Sequence, residues 1–421
     1  MTGASEGNGL HHHLRRMTGR DPYEEHRVAT PLELLFDLTF VISFGVAASQ
    51  LAHALSEGHL GTGLLGFGIA GFAICWAWTN FSWFSSAYDT DDWLFRVVTM
   101  VQMSGVLVLG LGLPRMFASI EHGAHLDAGM MVAGYVIMRL AMVFQWLRAA
   151  WQDPARREAT WIYAIIVSAV QIGWVALVAL APPFGVALAL YVLLGLGEVA
   201  APMLAERRTG TPWHAHHIAE RYSLFAIIAL GEGIVGTVAA LSAVVADQGW
   251  TLDAALACIA GMGLTFGMWW VYYMLPSAEI LHHHRNRAFP WAYGQLAIIT
   301  AIVATGAGLH VAAYFIEHKA HIGALATILC VALPVGIFLA VVYALYAYLV
   351  RRFDPFHFWL LLATMAVIIL AVVAAANGVG MTTCLLIVTL APLVTVIGYE
   401  LLGHRHKQEV LAEQAVEDPK S

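Results

Sequence analysis

Apolar residues run through this chain in stretches of twenty or more, separated by short polar segments instead of alternating with polar positions. Twelve such stretches lie near 32–54, 62–86, 94–117, 127–150, 160–181, 184–204, 218–245, 252–275, 290–316, 322–350, 357–376 and 381–402. A helix needs roughly 20 mostly apolar residues to cross a bilayer core. The pattern therefore predicts an all-α, polytopic membrane helix bundle of about twelve transmembrane helices in contact with the lipid bilayer.

Composition agrees. Hydrophobic residues make up 60% of the 421 and charged residues 12%, against about a quarter charged in soluble domains. Residues 1–29 and 405–421 read as polar tails, loose or weakly helical. No charged start, short apolar run and small-residue cleavage site open the chain, so the first span is expected to act as its own insertion signal.

Charge placement orients the bundle. With the N-terminus inside, the inner segments hold Arg15, Arg16, Arg20, Arg27, Arg96, Arg148, Arg156, Arg157, Arg207, Arg208, Arg285, Arg287, Arg351, Arg352, Arg405, Lys407 and Lys420, whereas the outer ones hold Arg115 and Lys319. The excess of Arg and Lys on one side predicts both termini in the cytosol of a multi-pass membrane protein. Cys75, Cys258, Cys330 and Cys384 sit inside spans without CxxC spacing and read as small core residues.

An internal repeat is visible. LFDLTFVISFGVAASQLAHAL (35–55) lies on LFAIIALGEGIVGTVAALSAV (224–244) without a gap, and IAGFAICWAW (69–78) corresponds to IAGMGLTFGMWW (259–270). WLRAAWQDPARREATWIY (146–163) echoes YLVRRFDPFHFWLL (348–361), each with basic residues and Asp-Pro between two spans. The expected organisation is two parallel six-helix repeats, 30–206 and 207–404, with a site at their interface.

Ionisable residues inside spans mark where that site would lie. A charge at the bilayer centre costs roughly 2.5–3.5 kcal/mol on insertion scales, so it needs a partner, water or a proton. On helical spacing Glu232 shares its side with Ala229, Gly236, Ala239 and Ala240, and points into the bundle. Arg221 lies on nearly the same face towards the cytosolic end, with Glu220 beside it. Glu33 and Asp37 share a face of the first span, Arg139 sits in the fourth and Glu198 in the sixth. Arg139 is the natural counter-ion for one deep acid. The plainer alternative is that these groups only pin helices together, and for Glu33 that it is an acid at a helix start.

Two further clusters lie at the cytosolic ends. In YDTDDWLFR (88–96), Asp89, Asp91 and Asp92 offer oxygens to a cation, but without an EF-hand turn they more simply cap a helix and pair with Arg96. His214, His216, His217, His282, His283 and His284, with HHH at 11–13 and HRH at 404–406, are weak metal candidates against solvated loop histidines. No GxSxG, P-loop, HExxH or dinucleotide fingerprint occurs in the context it requires. No cofactor or nucleic-acid partner is expected, and the oligomeric state is left open.

TPLELLFDLTFV (30–41), YDTDDWLFR (88–96) and HHIAERYSLFAIIALGEGIV (216–235) resemble the bacterial low-temperature-requirement A (LtrA) family, over about 28–403. The resemblance implies a polytopic membrane protein linked by name to growth in the cold. It carries over Glu33, Asp37, Asp89, Asp91, Asp92, Arg96, His217, Glu220, Arg221 and Glu232 as matching positions, without roles. Gly233 stands where serine is common in the family, so no hydroxyl role is transferred there. The leading functional reading is a secondary transporter or proton-linked permease for a small solute. Its alternatives are an intramembrane lipid-acting enzyme, with Glu232 or Asp37 as base and histidines holding a metal, and a sensor or scaffold without turnover. A channel lacks its ring of identical polar side chains.

Overall fold

The computed structural model describes residues 14–25, 27–123, 125–351 and 355–403. Its long helices are α1 (Pro31–Ser56), α2 (Leu60–Tyr88), α3 (Trp93–His122), α4 (Gly129–Gln152), α5 (Arg157–Leu180), α6 (Phe184–Glu206), α7 (Ala215–Gln248) and α8 (Leu252–Tyr273). After the short α9 (Ser277–His283) come α10 (Ala288–Ile316), α11 (Ala324–Val350), α12 (Pro355–Ala376) and α13 (Met381–Gly398). Among the described residues, 12 helical segments are long and apolar enough to cross a membrane. The segment after α8, read from sequence as a plain connection, contains α9 because Ile280 and Leu281 find a buried face there.

Local chemistry sets the helix ends. Thr30 and Glu33 form a capping box at the start of α1, with Pro31 in the first turn, where a missing N–H costs nothing. Asp92 caps α3 and Thr251 caps α8. Gly123, at φ 70°, closes α3 in a left-handed conformation that suits glycine. Large aliphatic side chains such as Ile172, Leu196, Ile369 and Leu390 face outward; in a bilayer that direction is lipid.

Several helix pairings recur in the two halves, although α8 also packs closely on α13, an approach that α2 and α6 do not match. α1 packs on α2 and α3, α3 on α4, α4 on α5, and α5 on α6; likewise α7 packs on α8 and α10, α10 on α11, α11 on α12, and α12 on α13. α1 also packs against α7 and α10, joining the halves. Two glycine pairs mark close helix crossings, one in each half. A Cβ on Gly110 would lie 2.9 Å from Ser43 Oγ and one on Gly112 2.2 Å from Met131 N. On α10, a Cβ on Gly306 would lie 2.6 Å from the Glu232 carbonyl and one on Gly308 2.2 Å from Cys330 O. Small residues let the helix backbones meet, and on the gapless alignment above Ser43 and Glu232 hold the same position.

The described part of the N-terminal segment is a fastened strap, not the loose tail expected from its polarity. Met17 N donates to Gln152 Oε1 (2.7 Å), Arg20 N to the Ala87 carbonyl (2.9 Å) and Ala29 N to Glu220 Oε2 (3.1 Å). Met17 is fully buried, so the strap also contributes to the core. It spans both halves at the end of the bundle where the chain begins.

Candidate functional site

Glu33 and Asp37 are one turn apart on α1; His217 and Arg221 are one turn apart on α7. Residues four apart share a helix face, so two facing helices form two rungs. In the deeper rung Arg221 Nη2 donates to Asp37 Oδ1 at 2.6 Å, with both side chains 0% exposed. Trp78 Nε1 donates to the same oxygen (2.7 Å), and Ser82 Oγ accepts a second bond from Arg221 (3.2 Å). The guanidinium also lies 5.7 Å from the Trp78 ring. Asp37 Oδ2 and Arg221 Nε and Nη1 are buried without a hydrogen-bond partner among the described residues.

In the outer rung His217 Nε2 lies 3.2 Å from Glu33 Oε1, and Ser85 Oγ donates to that oxygen at 2.6 Å. Thr30 N donates to Glu33 Oε2 (2.7 Å), completing the capping box. Glu33 is therefore more than an exposed acid at a helix start: it is fully buried. Arg27 bridges it to Asp89, with Nη2 3.6 Å from each carboxylate. Burial lowers the Arg27 guanidinium from its usual range, and the neighbouring carboxylates only partly offset this. Burial pushes the Asp89 carboxyl up to about 6, helped by Glu33 and opposed by Arg27.

Arg139 finds its deep acid in Glu198, not Glu232. Arg139 Nη2 lies 3.1 Å from Glu198 Oε2, and Glu198 accepts further bonds from Trp76 Nε1 (3.2 Å) and Gln171 Nε2 (3.0 Å). Tyr135 accepts from Arg139. This cluster lies within the first half, joining α4, α6, α2 and α5.

Glu232 stands apart from both ion pairs. It is 5% exposed and has no hydrogen-bond or ion-pair partner among the described residues. Its neighbours across the helix contacts are glycines: a Cβ on Gly45 of α1 would lie 3.4 Å from its Oε1, and Gly306 of α10 abuts its backbone. The carboxyl thus occupies the seam where α1 meets α7 and α10.

Glu220, half-buried, lines a cavity of about 460 Å³ with Arg27, His214, His216, Tyr272 and Trp291 among its walls. The acidic stretch divides its partners. Asp91 pairs with Arg96 (2.8 Å), Asp92 caps α3 and pairs with Arg148, and Asp89 faces Arg27. Burial opposes ionisation of Asp92, but the bonds from Arg148, Phe95 N and Arg15 N hold its carboxyl below the usual range. The His214, His216 and His282 rings follow one another at 5.8 and 5.1 Å, and His283 lies 5.3 Å from His282. His214 Nε2 meets the Glu24 carbonyl (2.8 Å), while His284 ends α9. Among the described residues no group of three or more His, Cys, Asp or Glu is placed to hold a metal. The 11–13 and 404–406 histidines lie outside the described residues.

Sequence reasoning missed the contribution of α2. Trp78, Ser82 and Ser85 follow helical i, i+4, i+7 spacing, so they present one polar-tipped face to α1 and α7. The signal was available in AWTNFSWFSSAY, whose hydroxyls and indoles recur within an otherwise apolar span.

Twelve apolar spans enclosing buried ion pairs define a polytopic α-helical membrane protein. The chain belongs to the bacterial low temperature requirement A protein (LtrA) family, whose family model matches residues 28–392. No curated protein and no solved structure matched the chain.

Proposed function

We propose that the protein is a secondary transporter of the bacterial plasma membrane, a proton-linked permease for a small solute, with both termini cytosolic. Glu232 carries this reading: a carboxyl 5% exposed at the seam between halves, with no cation or donor beside it among the described residues. As a lone carboxylate it is costly in hydrocarbon, whereas its protonated form is tolerated. Binding and release of a proton there would change the energy of the seam. Asp37 and Glu198 lack that freedom because each is committed to an arginine.

The glycine crossings at Ser43 and Glu232 support duplication of one six-helix unit, and duplicated transporters hold their sites between repeats. The 460 Å³ cavity supplies a vestibule. From Glu220 in its wall, α7 leads to Glu232 over about 18 Å at 1.5 Å per residue.

The test is solute-driven proton movement in vesicles containing a pH indicator. Under an imposed gradient, at least one class of small solute should acidify the interior with the native protein and not with Glu232→Gln. Equal movement in both, or no movement with any class, overturns the reading.

A further inference from the structure

On the opposite end of the bundle, α1 and α2 from the first half and α10 and α11 from the second enclose a groove of about 880 Å³. Its walls include Leu55, Phe67, Gly68, Ala304, Leu333 and Ile337. The few polar groups are already engaged: Thr300 Oγ1 donates to the Leu296 carbonyl (2.7 Å) and Tyr293 Oη to the Val199 carbonyl (3.1 Å). The groove therefore offers a ligand apolar contact and no unmet hydrogen bond.

Its length identifies the occupant. From Leu60 to Phe72 on α2 the wall runs about 18 Å, at 1.5 Å per helical residue. That is close to the depth of one leaflet's hydrocarbon, about 15 Å. The groove starts beside the α1–α2 loop, where His321 pairs with Glu57 at 2.7 Å, and ends in the interior of the spans. A Cβ on Gly68 would meet nothing within 4 Å, so space is left at the wall itself. Water has no partners in such a place, and the surrounding bilayer supplies chains of matching chemistry.

We propose that this groove is a binding site for the acyl chain of a bilayer phospholipid, seated between the two halves of the bundle. The chain fills concave space that convex lipid-facing helices lack, so this lipid is held through conditions that strip the others. The site is independent of the permease reading, since it shares none of the residues of the Glu232 seam.

Native mass spectrometry of protein purified in mild detergent counts the retained phospholipid. The native protein and a control, Leu196→Trp on an outward face, should keep one phospholipid per chain after delipidation. Gly68→Trp and Ala304→Phe, which fill the groove, should keep none while melting within a few degrees of native. Equal counts in all four, or retention of an apolar molecule other than a phospholipid, overturns the proposal. Should either filled variant fail to fold, the stripped native protein decides: on return to phospholipid vesicles it should regain one lipid per chain, and failure to do so overturns the site.

Discussion

Asp37 and Arg221 are 184 residues apart in the chain and 2.6 Å apart in the fold, with neither side chain exposed. Removing two such charges from water costs several kcal/mol per ion, which their attraction offsets only when geometry is good and the remaining polar atoms are satisfied. Trp78 and Ser82 supply part of that satisfaction. One carboxylate oxygen and two guanidinium nitrogens remain without partners among the described residues. The pair thus ties α1 to α7 firmly in register while keeping polar capacity in reserve.

Asp37→Asn should destabilise the protein by roughly 3–5 kcal/mol, because it leaves a buried guanidinium uncompensated. The double variant Asp37→Asn/Arg221→Gln should lose less than the sum of the two single changes. Thermal unfolding in detergent measures both. A single variant that melts like native protein would show that the pair adds nothing to stability.

Two glutamates should respond oppositely to the same change. Glu198→Gln strands Arg139 and should cost roughly 3–5 kcal/mol, whereas Glu232→Gln removes no ion pair and should leave the melting temperature within a few degrees of native. Equal losses at both positions would mean that Glu232 has an unseen electrostatic partner.

Asp89 should give stability a pH signature. Burial, then Glu33, raises its carboxyl to about 6, while an unfolded aspartate titrates near 3.9. Between roughly pH 4 and 6 the folded state holds a proton that the unfolded state has released, so this group's contribution falls as pH rises through that window. Asp89→Asn does not titrate. Its melting temperature relative to native should climb from pH 4 to 7 and then level; a difference independent of pH would refute the assignment.

Individual glycines at the helix crossings should differ in tolerance. A methyl on Gly308 would meet backbone, 2.2 Å from Cys330 O, whereas one on Gly110 would first meet the Ser43 hydroxyl at 2.9 Å. Overpacking costs typically 1–3 kcal/mol, and a hydroxyl turns aside more readily than a helix. Gly308→Ala should therefore lower the melting temperature more than Gly110→Ala. The reverse order would put the tighter contact at Gly110.

Orientation can be read with tags. Reporters at the N-terminus and in 205–214 should register cytosolic, and those in 121–125 and 317–321 external. An external N-terminus would contradict the arginine and lysine asymmetry.

The spans were legible because length and apolar content suffice to identify a membrane helix, whatever its neighbours. Charge alone also showed that Asp37, Arg221, Arg139 and Glu198 could not face lipid. Their pairing was not legible, since it depends on which helices touch: Arg139 had two deep acids available, and only the packing of α4 near α6 selects Glu198 over Glu232. Arg148 read as a cytosolic end charge, yet it is 4% exposed and holds Asp92. The glycine pairs at 110/112 and 306/308 were hidden for another reason. Glycine is common throughout this chain, 38 residues in all, and only contact geometry distinguishes a crossing from a spacer.

The two rungs between α1 and α7 impose a waiting time on biogenesis. α1 leaves the ribosome before α7 and carries Glu33 and Asp37, while Arg221 is made 184 residues after Asp37. At 5–20 residues per second that interval is roughly 10–40 s. During it the acids must remain protonated, hydrated or sheltered by the insertion machinery, because their partners on α7, His217 and Arg221, do not yet exist. The N-terminal strap waits as long, since Ala29 closes on Glu220. The strap ahead of α1 therefore settles only with the arrival of α7, which closes the two rungs that α1 began.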